Sequence, residues 1–115
     1  MIIVSDKTKT QISNIPTLYA QENEKDPIVY LRFFNEKGYQ WLATEYDGED
    51  IMFGLCDLGD PELGYFSIDE IIETNKLLEK KKDLNSYFSL IKVQKFEPMK
   101  LSEAKKMFGI VDLFS

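Results

Sequence analysis

Histidine is absent from this 115-residue chain, and cysteine occurs once, at Cys56. The first absence removes Ser-His and Cys-His nucleophile pairs, histidine-ligated zinc and the commonest general base. The second removes internal disulfides and cysteine-based metal clusters. No apolar run approaches the roughly 20 residues that a membrane helix needs, and the start, Met1–Lys7, is too short an apolar run for a signal peptide. With Cys56 unpaired, a reducing cytoplasm is the expected compartment. Walker and dinucleotide loops are missing, as are internal repeats and low-complexity tracts.

Apolar and aromatic residues are plentiful. The hydrophobic fraction is 43%, with eight Phe, six Tyr and one Trp. A chain of this length and content can bury roughly two-thirds of its unfolded surface, so residues 1–115 are expected to form a single domain.

Charge is unevenly placed. Residues 1–37 are neutral in sum, residues 38–75 carry ten acids and no Lys or Arg, and residues 76–115 carry nine lysines against five acids. Such blocks shape the field around a protein and bias its partners. The acidic block should repel nucleic acid and attract basic surfaces. A plainer reading stands beside it: Asp and Glu favour turns and helix starts for local reasons.

The pattern of elements predicts an α+β fold, an antiparallel β-meander of four to five strands packed with two to three short helices. Ser5 caps a short helix that runs to Ser13 and is stopped by Pro16. Strands are expected at Ile28–Phe34, Tyr39–Tyr46, Ile51–Cys56 and Leu63–Phe66, rich in β-branched and aromatic residues. Asp47-Gly48 gives a two-residue hairpin signal, because Gly and Asp tolerate positive φ. Ser67-Ile68-Asp69-Glu70 is a capping box opening a helix with Ile68, Ile71, Ile72 and Leu78 on one face. Lys80-Lys81-Lys82 suits its C-terminal end and the macrodipole. Tyr87–Phe96 alternates as an edge strand would, guarded by lysines. A last helix covers Leu101–Phe108 and stops at Gly109. The apolar tail Ile110–Phe114 is expected to dock on the core.

Chemistry-bearing constellations are few. Cys56 lies in an apolar strand with nothing to activate it, so it reads as a structural thiol. Asp47, Glu49 and Asp50 share one turn, and Asp57, Asp60 and Glu62 another. Hard cations take such oxygen ligands, but the spacing matches no calcium loop, and no metal or cofactor is assigned. Aromatics at 39, 41, 46, 53, 65 and 66 could stack bases, yet core packing explains most of them.

The strings Pro16–Glu22, Tyr30–Phe34, Trp41–Glu45, Asp47–Asp50, Phe53–Leu55 and above all Pro61-Glu62-Leu63-Gly64-Tyr65-Phe66-Ser67 together resemble the bacterial family labelled domain of unknown function 2958. The resemblance covers about residues 5–90 and leaves a C-terminal strand and helix extension, about 91–115, outside it. It implies no established activity and no catalytic residues. It does imply the company of plasmids, integrative elements and phages, often beside anti-restriction and conjugation genes.

The expected function is therefore a small acidic interaction module, an accessory or anti-defence protein that binds a protein partner through an acidic face. A basic nucleic-acid-handling enzyme is one such partner, bound by imitation of a phosphate row. The residues expected to carry it are Glu45, Asp47, Glu49, Asp50, Asp60 and Glu62, with Trp41 and Tyr46 as aromatic anchors. Direct nucleic-acid binding and membrane attachment are not expected, while the opposed charge blocks would permit self-association. The alternative is a small carboxylate-based, metal-dependent enzyme on the same turns.

Overall fold

The computed structural model describes residues 2–111. Their order is β1 (Ile2–Ile3), α1 (Asp6–Thr10), β2 (Ile28–Phe34), β3 (Gln40–Tyr46), β4 (Ile51–Asp57), β5 (Pro61–Ser67), α2 (Ile68–Lys81), α3 (Leu84–Ser89), β6 (Lys92–Lys100) and α4 (Leu101–Met107). The six strands form one antiparallel sheet in the order β1-β6-β2-β3-β4-β5. The α+β class and the meander β2–β5 agree with the sequence reading. The strand count rises from four or five to six, and the helix count from two or three to four.

The largest correction concerns the C-terminal strand. Tyr87 and Phe88 belong to α3, which Asp83 caps by accepting from the Ser86 N–H at 2.7 Å. The strand starts later, at Lys92, and is not an edge: it lies between β1 and β2. Its lysines reach outward from a central position, Lys92 to Glu36 at 2.9 Å and Lys95 to the Gln11 carbonyl at 2.9 Å. Long aliphatic stems let a charge leave a packed strand in this way.

Apolar side chains alternate along the strands, so each sheet face acquires a core. One face packs Leu31, Phe33, Ala43, Met52 and Val93 against Ile68, Ile71 and Ile72 of α2. There the buried Asn75 side chain donates to the Val4 and Ile91 carbonyls and accepts from the Ile91 N–H, which fixes α2 to β1 and the start of β6. The other face packs Val29, Leu42 and Leu55 against Leu101 and Ala104 of α4 and against Ile110. Arg32 lies on that face, its guanidinium over the rings of Phe34 (4.2 Å) and Phe108 (4.4 Å), and it donates to Gln40 and Gln94. Of the expected docking tail, Ile110 is buried and Val111 is exposed; residues 112–115 lie outside the described residues. No helix among the described residues is long and apolar enough to cross a membrane.

Candidate partner-binding surface

One irregularity in β3 decides where the site residues point. Ala43 pairs with Gly54, but Glu45 pairs with Phe53, so one extra residue stands in β3. A bulge of this kind resets the alternation of the strand. Unbulged, Glu45 would share a face with Trp41 and Ala43. With it, Tyr46 takes that side and enters the α2-facing core, while Glu45 turns to the opposite face. Gly54 makes the bulge possible, because a Cβ there would lie 1.8 Å from the Leu42 carbonyl oxygen.

Glu45, expected at the surface, is only 4% exposed. Its two carboxylate oxygens accept the main-chain N–H groups of Tyr19 (2.8 Å) and Gln21 (2.7 Å). The Gln21 side chain continues the seam: it donates to the Ile28 and Thr44 carbonyls and accepts from the Ile28 N–H. Tyr46 donates its N–H to the Pro16 carbonyl at 2.8 Å. The segment between α1 and β2 is thereby strapped across the sheet. Asp26 ties the far end of the strap to α4 by accepting the Ser102 N–H and hydroxyl. Those two bonds, the hydroxyl one foremost, hold its carboxyl below the usual carboxylate range. The strap holds Tyr19 at φ 71°, a left-handed conformation that a bulky side chain seldom adopts. Backbone strain of this sort is found where surrounding contacts over-determine a position, often at binding sites.

Between the strap, β3–β5 and α4 lies an open cleft of about 660 Å³. Phe53 and Leu55 form its floor, with Leu63 and Tyr65 opposite them on β5. The Phe53 and Tyr65 rings meet edge to face, centroids 4.9 Å apart. Leu63 (57% exposed), Tyr65 (54%) and Tyr19 (61%) form its outer rim. A hydrogen bond with the Tyr19 hydroxyl, then burial, and only then the charges of Tyr19, Glu45 and Glu22 raise the Tyr65 phenol above its ordinary value. The cleft is bordered by Glu22, Glu24 and Glu45 against Lys25 and Lys105, and Glu62 touches its edge from a strand position that alternates away from Leu63 and Tyr65.

The remaining expected site residues separate. Asp47 is spent within its own turn: one oxygen accepts from the N–H groups of Glu49, Asp50 and Ile51, which lowers its pKa. That turn spans residues 47–50, longer than the two-residue hairpin expected. Asp50 accepts from the Ser67 hydroxyl (2.7 Å) and the Asp69 N–H (2.9 Å), and Ser67 accepts from the Glu70 N–H. Glu70 stays exposed, and the carboxylate that serves this helix start is Asp50, which takes the Asp69 N–H and not the Ser67 N–H of a capping box. Tyr46 and Trp41 belong to the α2-facing core, not to a surface anchor. Glu49, Asp60 and Glu62 are exposed. The two acidic turns lie at opposite ends of β4, about 20 Å apart at the rise of a β-strand, so they form no single row. Among the described residues no three acidic or thiol groups converge where they could hold a metal ion. Cys56 is half-buried, and burial, then the Glu62 carboxylate, pushes its thiol pKa up.

Residues 3–92 match the family model described as a protein of unknown function, DUF2958. The chain belongs to this family. No curated protein and no solved structure matches it. The DUF2958 match ends at Lys92, the first residue of β6, so α4 and its contribution to the cleft, Leu101 and Lys105, lie beyond it.

Sequence reasoning missed the Tyr19–Tyr65 rim. The alternation of Leu63 and Tyr65 was legible, and an exposed face for β5 could have been inferred from it. The strap over Glu45 could not, because it depends on contacts more than 20 residues apart.

Proposed function

We propose that this DUF2958 protein is a binding module that docks a basic protein partner on the β5 side of its sheet. One observation carries the reading: β5 ends the sheet with Leu63 and Tyr65 exposed, beside the Tyr19-rimmed cleft. Contiguous exposed apolar surface with a polar border is the mark of an interaction site. Glu22 and Glu24 border the cleft beside Lys25 and Lys105, and Asp60 and Glu62 stand exposed at the start of β5; this excess of acid favours basic partners and raises their rate of association. A nucleic-acid-handling enzyme has a surface of that kind, and its occupation would suit an accessory or anti-defence role on a plasmid or phage. The carboxylate-enzyme alternative has no converging carboxylates in its support.

The test compares capture from host lysate by the native protein and by a Leu63→Lys/Tyr65→Lys variant, each at low and high salt. A partner held by the native protein, lost by the variant and weakened by salt is the expected result. Equal capture by both proteins would overturn the reading.

A further inference from the structure

β5 and β1 close the two ends of the sheet, and they differ. β1 is two residues long. β5 is seven residues long and pairs with β4 through seven consecutive residue pairs, Asp57↔Pro61 to Ile51↔Ser67, with no register shift. Alternate main-chain N–H and C=O groups of β5 therefore point away from the sheet in a regular row. Natural edges are usually blunted by lysines, bulges, short length or a covering element. β5 carries no lysine and no bulge; only Pro61, at its first position, and Glu62 guard it.

We infer that β5 receives an extended segment of a basic partner as a seventh strand of the sheet. The inference rests on the function proposed above and specifies how the partner binds. Side-chain alternation dictates the partner's pattern. On the cleft side the added strand lies beside Leu63 and Tyr65, so its side chains there are apolar. On the other side it lies beside Glu62, so its side chains there include Lys or Arg. Neither Asp60 nor Glu62 makes an ion pair among the described residues. A second copy of this chain is a poorer occupant, since it would set one lysine-free acidic hairpin against another.

The probe is a capped seven-residue peptide of alternating valine and lysine, with a fluorescent label for anisotropy. Three peptides are compared at low salt: the parent, one with glutamate in place of lysine, and one with alternate backbone nitrogens methylated to block strand pairing. The parent is expected to bind at least tenfold more tightly than either of the others. It is also expected to slow amide hydrogen exchange at residues 63–66. Leu63→Lys should lower its affinity at least tenfold, whereas Glu49→Gln, at the distant turn, should leave it unchanged. Because Leu63 is exposed, the variant's fold can be verified by its unaltered circular dichroism and melting.

Equal binding of the methylated peptide, with Leu63→Lys still impaired, would overturn strand addition while leaving the docking surface in place. Tighter binding of the glutamate peptide would overturn the charge argument. Exchange protection of residues 63–66 that rises with protein concentration alone would identify a second copy as the occupant and overturn the inference. Failure of the lysate experiment above, by contrast, removes the docking surface itself.

Discussion

The β3–β4 and β4–β5 hairpins share a strand and the same lysine-free, acid-rich composition, yet they use most of their acids differently. In the first, Glu45, Asp47 and Asp50 each accept from main-chain donors and hold the strap, the turn and the start of α2. In the second, Asp60 and Glu62 remain exposed beside Leu63 and Tyr65. A bulge distinguishes them: it occurs in β3 and not between β4 and β5. The irregular hairpin ties three of its acids to main-chain N–H groups and leaves Glu49 exposed, whereas the regular one ties only Asp57, to the Gln40 side chain, and leaves Asp60 and Glu62 for solvent or a partner. Acid content therefore measures neither stability nor binding until the acceptor geometry is known.

The most disruptive way to break this contrast is Gly54→Ala. Its Cβ would press on the Leu42 carbonyl, so β3 and β4 must part at the bulge. The expected loss is about 3 kcal/mol or more, at the upper end of overpacking costs, measured by urea denaturation. Next comes Glu45→Ala, which strands the N–H groups of Tyr19 and Gln21 beneath the strap. A loss of about 2–3 kcal/mol is expected, since hydrogen bonds to a charged group are worth more than neutral ones. Proteolysis should also quicken between residues 14 and 26. A melt unchanged by this substitution would return Glu45 to the class of free surface acids.

A pH titration sharpens the comparison further. The Asp47 pKa is depressed because its carboxylate accepts main-chain N–H groups, chiefly those of Asp50 and Glu49. A depressed carboxyl contributes stability that is fully present above its unfolded pKa, about 3.9, and is lost as pH falls through its folded value. The native melting temperature should therefore drop below about pH 4, and Asp47→Asn should flatten part of that drop. The smallest effect belongs to the second hairpin. Glu62→Gln should change stability by less than about 0.5 kcal/mol, as exposed substitutions usually do. It should also quicken thiol labelling of Cys56 slightly, since burial mainly, and Glu62 secondarily, holds that pKa up. Labelling rates near neutral pH check this directly.

Local patterns read well because local physics produces them. Ile28–Phe34 is a strand as expected, and β3 and β4 depart from expectation by one residue at an end. Ser67 caps α2 through the Glu70 N–H. The misreading of Tyr87 and Phe88 has a local cause as well: their β-propensity outweighed the Asp83 cap, although Asp83 and Ser86 carry a helix-start signal. The central place of β6 had no such signal, because lysines that guard an edge and lysines that reach out from an interior strand look alike in sequence. Of the expected site residues, Glu49, Asp60 and Glu62 are at the surface, and Glu45, Tyr46 and Trp41 are wholly or partly buried.

Sequence by itself determined the α+β class, the meander, the capped helix and the separation of charge into blocks. These follow from side-chain period, turn chemistry and composition, which act over a few residues. Tertiary structure alone decided that one extra residue in β3 turns Glu45 inward, that the strap closes over it, and that β5 is left as a regular open edge. A bulge depends on the partner strand's backbone, here on the missing Cβ of Gly54, and an edge is defined only by which strands fail to arrive.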